Sequence, residues 1–94
     1  MVRVEFDPVK NLRNIQTRGL SFDLARSLDW ETAVALEDTR RNYGERRFRV
    51  LGAINGPLYA VVITPRSGGI RVISLRRANL RERRMYAETI NKRE

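Results

Sequence analysis

Residues 46–77 read RRFRVLGAINGPLYAVVITPRSGGIRVISLRR, and the rest of the chain is organised around them. Runs rich in β-branched and aromatic residues alternate with turn signals. Asn55-Gly56 suits a tight hairpin, because both residues tolerate a positive φ. Ser67-Gly68-Gly69 marks a second turn in the same way. The pattern predicts a three-stranded antiparallel meander with strands near 46–53, 57–64 and 70–76. The middle run, Leu58 to Ile63, is apolar on both sides, as a central strand covered on both faces reads. Its neighbours carry arginines. Arg47, Arg49 and Leu51 lie on one side of the first strand, and Phe48 and Val50 on the other. In the third, Arg71 alternates with Val72, and Arg76 follows Ser74. The functional question is whether these arginines converge or only keep a sheet edge soluble.

Composition bounds the partners. The 94 residues suit one domain, 1–94, with a modest core. Nineteen Lys and Arg stand against eleven Asp and Glu, a formal charge of +8. Nearly all the excess is arginine, since lysine occurs only at Lys10 and Lys92. Arginine offers a planar fork that matches phosphate oxygens and stacks on bases. A polyanion is the natural partner: nucleic acid, or an acidic protein covering the same surface.

The chain has no cysteine and no histidine. That removes disulfides, thiolate catalysis and cysteine zinc sites, and it suits a reducing cytoplasm. Catalysis, if present, uses groups other than the commonest general base. The expectation is no metal and no cofactor. No apolar run spans a bilayer, and MVRVEFDP lacks the apolar core of a signal peptide.

Along the chain, Val2 to Phe6 alternates like a short strand added to the sheet. Asp7-Pro8 reads as an N-cap and first helical residue, opening a helix to about Thr17. Val9, Leu12 and Ile15 form its apolar stripe, and Gly19 suits its C-terminal stop. Ser21 caps a second short helix, Phe22 to about Leu28. A short strand is expected near 33–37, then a charged loop from Arg40 to Glu45. After the meander, Asn79 with Glu82 resembles a capping box for a helix from Leu80 to about Ile90. Arg81, Arg83 and Arg84 crowd its first turns, against the helix dipole. A phosphate or an acidic partner would relieve that conflict. The fold class expected is α+β: a small antiparallel sheet, two N-terminal helices and one C-terminal helix.

Three segments together resemble the BrnT family, toxins of type II toxin–antitoxin pairs. They are FDPVKNLRNIQTRGLSF (6–22), DTRRNYGERRFRVLG (38–52) and IRVISLRRANLRERRMYAE (70–88). The resemblance covers nearly the whole chain. It implies a RelE-like fold and RNA cleavage. It also implies a cognate, BrnA-like antitoxin that binds DNA, in a heterotetramer of two toxins and two antitoxins. The positions it highlights include Lys10, Asn14, Gly19, Ser21 and Phe22, then Glu45, Arg47 and Gly52, then Arg71, Ser74, Arg76, Ala78, Glu82, Arg83 and Tyr86. Phe6 stands where the family usually has Trp, and Thr17-Arg18 where Lys-His is usual.

RNA can be cut when its own 2′-hydroxyl attacks the adjacent phosphate, a route that needs no metal. The protein must accept that proton, stabilise the extra phosphate charge and protonate the leaving oxygen. Preorganised cations usually supply the largest share. The candidates are Arg47 and Arg76 for the charge, Glu45 as base, and Lys10 or Tyr86 as acid. Asn14, Arg18, Arg49, Arg71, Arg81, Arg83 and Arg84 are the candidate RNA contacts. Each has a plainer reading. Glu82 caps a helix or pairs with an arginine, Glu45 pairs with its arginine neighbours, Tyr86 and Trp30 pack, and Lys10 with Asn14 is a solvated helix face. Two function classes stay open: a ribonuclease toxin, and a basic module that grips nucleic acid or an acidic protein without cutting.

Overall fold

A computed structural model describes residues 2–93. In chain order it contains β1 (Arg3–Phe6), α1 (Pro8–Arg18), a 3-10 helix (Phe22–Ser27), β2 (Val34–Glu37), β3 (Phe48–Ala53), β4 (Leu58–Arg66), β5 (Gly69–Arg77) and α2 (Leu80–Arg93). The meander follows its turn chemistry. Asn55 and Gly56 take φ of 51° and 111°, and the Ile54 amide donates to the Pro57 carbonyl at 2.9 Å. At the second turn Gly68 takes φ 74°, and Gly69 already begins β5.

The strands lie in the order β1-β5-β4-β3-β2. The sheet is mixed, which corrects the antiparallel expectation: β1 runs parallel to β5, with Val4 beside Ile70 and Phe6 beside Val72. Alternation in Val2–Phe6 signals a strand, but direction depends on a partner far along the chain. The second N-terminal helix is also corrected, to a 3-10 stretch. Ser21 Oγ accepts from the Asp23 amide at 3.1 Å to start it. Leu28 is already bridged to Ile54, so little chain is left for α-helical turns, and i→i+3 bonds suffice.

A bulge in β5 decides which side chains share a face. Val62 pairs with Ser74, yet Ile63 pairs with Val72, so Ile73 has no partner. Side chains on a strand alternate with a period of two. In a regular strand Arg71 and Arg76 would therefore point to opposite faces. The extra residue shifts the phase: Arg71 pairs with Thr64 and Arg76 with Ala60, which lie on the same side of β4.

The sheet has a core on each face. Val50, Val61, Val72 and Leu75 pack under Phe22, Ala25 and Leu28. There Phe6 meets Phe22 edge-on at 5.7 Å between ring centroids, and Trp30 is partly buried. On the other face Val34, Leu51 and Ala60 lie beneath Met85, Tyr86 and Ile90 of α2. α2 covers only one end of that face.

α1 is turned inside out. An apolar helical stripe ordinarily faces the core, but Val9, Leu12 and Ile15 are 64%, 55% and 40% exposed. The inward side is polar. Asn14 is buried, and its amide donates to the carbonyls of Leu20 (2.8 Å) and Leu75 (2.9 Å). Asn11 Oδ1 accepts from the Phe22 amide at 2.8 Å. The reason is the edge of β5. β1 covers β5 only from Gly69 to Val72, so the Leu75 carbonyl lies beyond its reach. A buried carbonyl needs a donor, and a leucine at position 14 could not supply one.

Candidate active site

The site is assembled where α2 starts over the sheet. Asn79 and Glu82 form a reciprocal capping box: Asn79 Oδ1 accepts from the Glu82 amide at 2.8 Å, and the Asn79 amide donates to Glu82 Oε1 at 3.0 Å. The Glu82 side chain, 5% exposed, also receives both ends of the Arg76 fork, Nη1 at 2.7 Å and Nη2 at 2.9 Å. Arg49 Nη1 lies 3.6 Å from its other oxygen. The hydrogen bond from Arg76 holds the Glu82 carboxyl below its ordinary value; burial opposes this, and the Asn79 amide and the Arg49 charge add to it. In turn Glu82 raises Arg76. Glu82 is therefore a fixed anion between two cations.

Strand register explains why those cations meet. Leu51, Ala60 and Arg76 form one row across β3, β4 and β5; Arg49, Val62 and Ser74 form the next. Arg71 follows beside Thr64. Arg47, one residue before β3, continues the alternation of Arg49 and Leu51. All four arginines thus belong to the face that α2 half covers. A cavity of about 380 Å³ is lined by Arg49, Arg76, Asn79, Arg81, Glu82 and Met85. A second, of about 220 Å³, is lined by Leu36, Glu37, Asp38, Thr39, Arg40, Arg49 and Val62. Arg49 lines both, and its Nε is buried without a hydrogen-bond partner. Such an orphan donor costs about 1–3 kcal/mol.

The rim is a chain of ion pairs. Arg47 Nε donates to Glu45 at 3.2 Å, and its guanidinium sits 4.2 Å over the Tyr43 ring. The other Glu45 oxygen is 3.6 Å from Arg66, which reaches Glu5 at 3.4 Å. In the charged loop, Asp38 accepts from Arg40 Nε and Nη2, both at 3.0 Å, and from the Tyr43 hydroxyl at 2.9 Å. Arg40 above all holds the Asp38 carboxyl far below the usual carboxylate range.

Other candidates sit elsewhere. Lys10, Asn14 and Arg18 line a separate cavity of about 280 Å³ with Arg13, Thr17, Phe22 and Ile73. Arg18 Nη1 donates to Asn14 Oδ1 at 3.2 Å. Both bonds from the Asn14 amide nitrogen go to backbone carbonyls. Tyr86, on α2, packs partly buried against the second core. Arg83 and Arg84 are exposed; Arg81 is exposed too, but lines the cavity of about 380 Å³ beside Arg49 and Arg76. Sequence reasoning missed Arg40 and Arg66. Arg66 was recoverable, since it continues the Ala60, Val62, Thr64 side of β4; the Arg40–Asp38 pairing needs the loop conformation.

Among the described residues, no group of three or more His, Cys, Asp or Glu side chains is placed to hold a metal ion. No helix of the described residues is long and apolar enough to cross a membrane. Residues 6–82 match the model of a family described as ribonuclease toxin, BrnT, of type II toxin-antitoxin system. The fold is similar to the crystal structure of the Brucella abortus ribonuclease toxin BrnT. The TM-score is 0.65 and the identity 26%, over 84% of this chain and 99% of that one. No curated protein matches the chain. The family match runs from the end of β1 to the buried Glu82, through every strand that carries the arginine face, and the chain belongs to the BrnT family of type II ribonuclease toxins.

Proposed function

We propose that this toxin is a metal-independent endoribonuclease that cuts RNA on the arginine face, by attack of the ribose 2′-hydroxyl on the adjacent phosphate. The observation that supports this most directly is the pair of guanidinium groups, Arg49 and Arg76, that line one cavity with Glu82 between them. A phosphate oxygen would accept from Arg49, and Arg76 would face the same group. Glu82 holds both cations before substrate arrives, so little reorganisation is left for the reaction itself. Arg71, Arg81, Arg83 and Arg84 would take neighbouring phosphates. Glu45 is the rim carboxylate assigned to the 2′-proton, with Arg47 beside it; Glu82 is already committed to its cations. Lys10 and Arg18 line a different cavity, and Tyr86, on α2, packs partly buried against the second core, so the leaving 5′-oxygen takes its proton from solvent water. The same reading makes residues 1–94 one RelE-like toxin domain acting in the cytoplasm. A BrnA-like, DNA-binding antitoxin neutralises it in a heterotetramer.

Expression alone should arrest growth, and co-expression of the antitoxin should restore it. Purified protein should cleave single-stranded RNA in the presence of a chelator. Arg49→Ala should retain its fold and lose about 10²–10³-fold in cleavage rate. Cleavage that requires magnesium, or survives Arg49→Ala combined with Arg76→Ala, would overturn the mechanism. Tight RNA binding without cleavage would return the protein to the binding-module class.

A further inference from the structure

We infer that the outward face of α1 is the seat of an amphipathic helix of the antitoxin, one with apolar residues along its centre and a carboxylate at the flank that meets Arg13. This rests on the toxin–antitoxin reading and adds the surface and the chemistry of its partner. Val9, Leu12 and Ile15 stand at i, i+3 and i+6, and all three are exposed. Their spacing covers one side of the helix. The opposite side is pinned by Asn11 and Asn14 to the Phe22 amide and to the carbonyls of Leu20 and Leu75. α1 therefore cannot roll to bury the stripe without breaking those bonds. Large apolar side chains left outward on a rigid helix mark a surface that another chain covers.

Charge selects the occupant. Within α1 the ionisable residues are Lys10, Arg13 and Arg18, with no acidic residue in the helix. Arg13 is exposed and borders the stripe, one turn after Val9; Lys10 lies toward Asn14 and lines the cavity there. A second copy of this chain would form a two-fold contact that sets the same patch against itself, so Arg13 would face like charge. RNA gains nothing from valine, leucine and isoleucine, which offer no donor to a phosphate. An acidic amphipathic helix satisfies both features: it buries the stripe in the manner of a helix laid on an apolar surface, and it brings a carboxylate to Arg13.

The test titrates the purified antitoxin against full-length toxin carrying Leu12→Asp, Ile15→Asp or Arg13→Glu. RNA cleavage and thermal melting are followed on the same samples. Leu12→Asp and Ile15→Asp should each raise the Kd by more than about tenfold, the scale of a buried interface anchor. Arg13→Glu should weaken binding and flatten its salt dependence. Melting and cleavage by the free variants should stay at the parental level, because these side chains are exposed and away from the arginine face. Parental antitoxin affinity in Leu12→Asp and Ile15→Asp would overturn the inference. So would a toxin dimer that Leu12→Asp dissolves, or loss of RNA cleavage with antitoxin affinity unchanged. If the parent protein fails to cut RNA, the ribonuclease mechanism falls, while the antitoxin titration still decides the docking surface.

Discussion

Glu82→Ala tests the clamp on which the site is built. The carboxylate takes two hydrogen bonds from Arg76 and one from the Asn79 amide, with Arg49 at 3.6 Å. Breaking a fully buried pair from one side costs about 3–5 kcal/mol. The Arg76 side chain is 36% exposed, so water recovers part of this, and about 2 kcal/mol is the better figure. Losing the carboxylate half of the capping box adds about 1 kcal/mol. The total, about 3 kcal/mol, corresponds to a fall in Tm of about 12–24 °C for a domain of this size. Thermal melts by circular dichroism measure it, with Glu88→Ala as an exposed control on the same helix, expected within about 0.5 kcal/mol of parent. A double-mutant cycle with Arg76→Ala should return a coupling of about 1.5 kcal/mol or more. A Tm loss under about 4 °C, or a coupling below about 0.5 kcal/mol, would refute the clamp.

Acid should weaken the fold through the same group. Glu82 titrates below its ordinary value of 4.5 in the folded chain, so its contribution is complete above that value and lost as the pH falls through the lower folded one. Melts between neutral and acid pH should show declining stability below about 4.5, with a shallower slope in Glu82→Gln; equal slopes would count against it. Asn14→Leu should cost about 2–3 kcal/mol by denaturant titration, since it orphans the Leu20 and Leu75 carbonyls; a neutral result would mean that α1 is held by something else. Gly69→Ala would drive a Cβ into the Arg3 carbonyl. It should loosen β1, seen as faster amide exchange at Val4 and Phe6; unchanged exchange there would show that the strand pair can give way locally.

Much of the architecture was legible because it is written in short-range chemistry. Asn55-Gly56 makes its hairpin through residues that accept positive φ. Asp7 and Ser21 cap their helices, and Asn79 with Glu82 forms the capping box. The BrnT resemblance was visible from ordered segments along the chain, and the family match confirms it. The site was only partly legible. Arg76 and Arg49 come together, whereas Lys10 and Arg18 line another cavity and Tyr86 is packed. Sequence spacing names the residue types, but not which cavity each will reach.

What the chain determines by itself is the set of elements and its charge, because turns, caps and alternation depend on neighbours a few residues apart. What only the tertiary structure decided is phase, direction and face. The unpaired Ile73 brings Arg71 round to the side of Arg76. A partner from the far end of the chain sets β1 parallel. An uncovered carbonyl on β5 draws Asn14 inward and leaves Val9, Leu12 and Ile15 facing out. Each of these outcomes is fixed by a hydrogen-bond partner distant in sequence, which no local pattern contains.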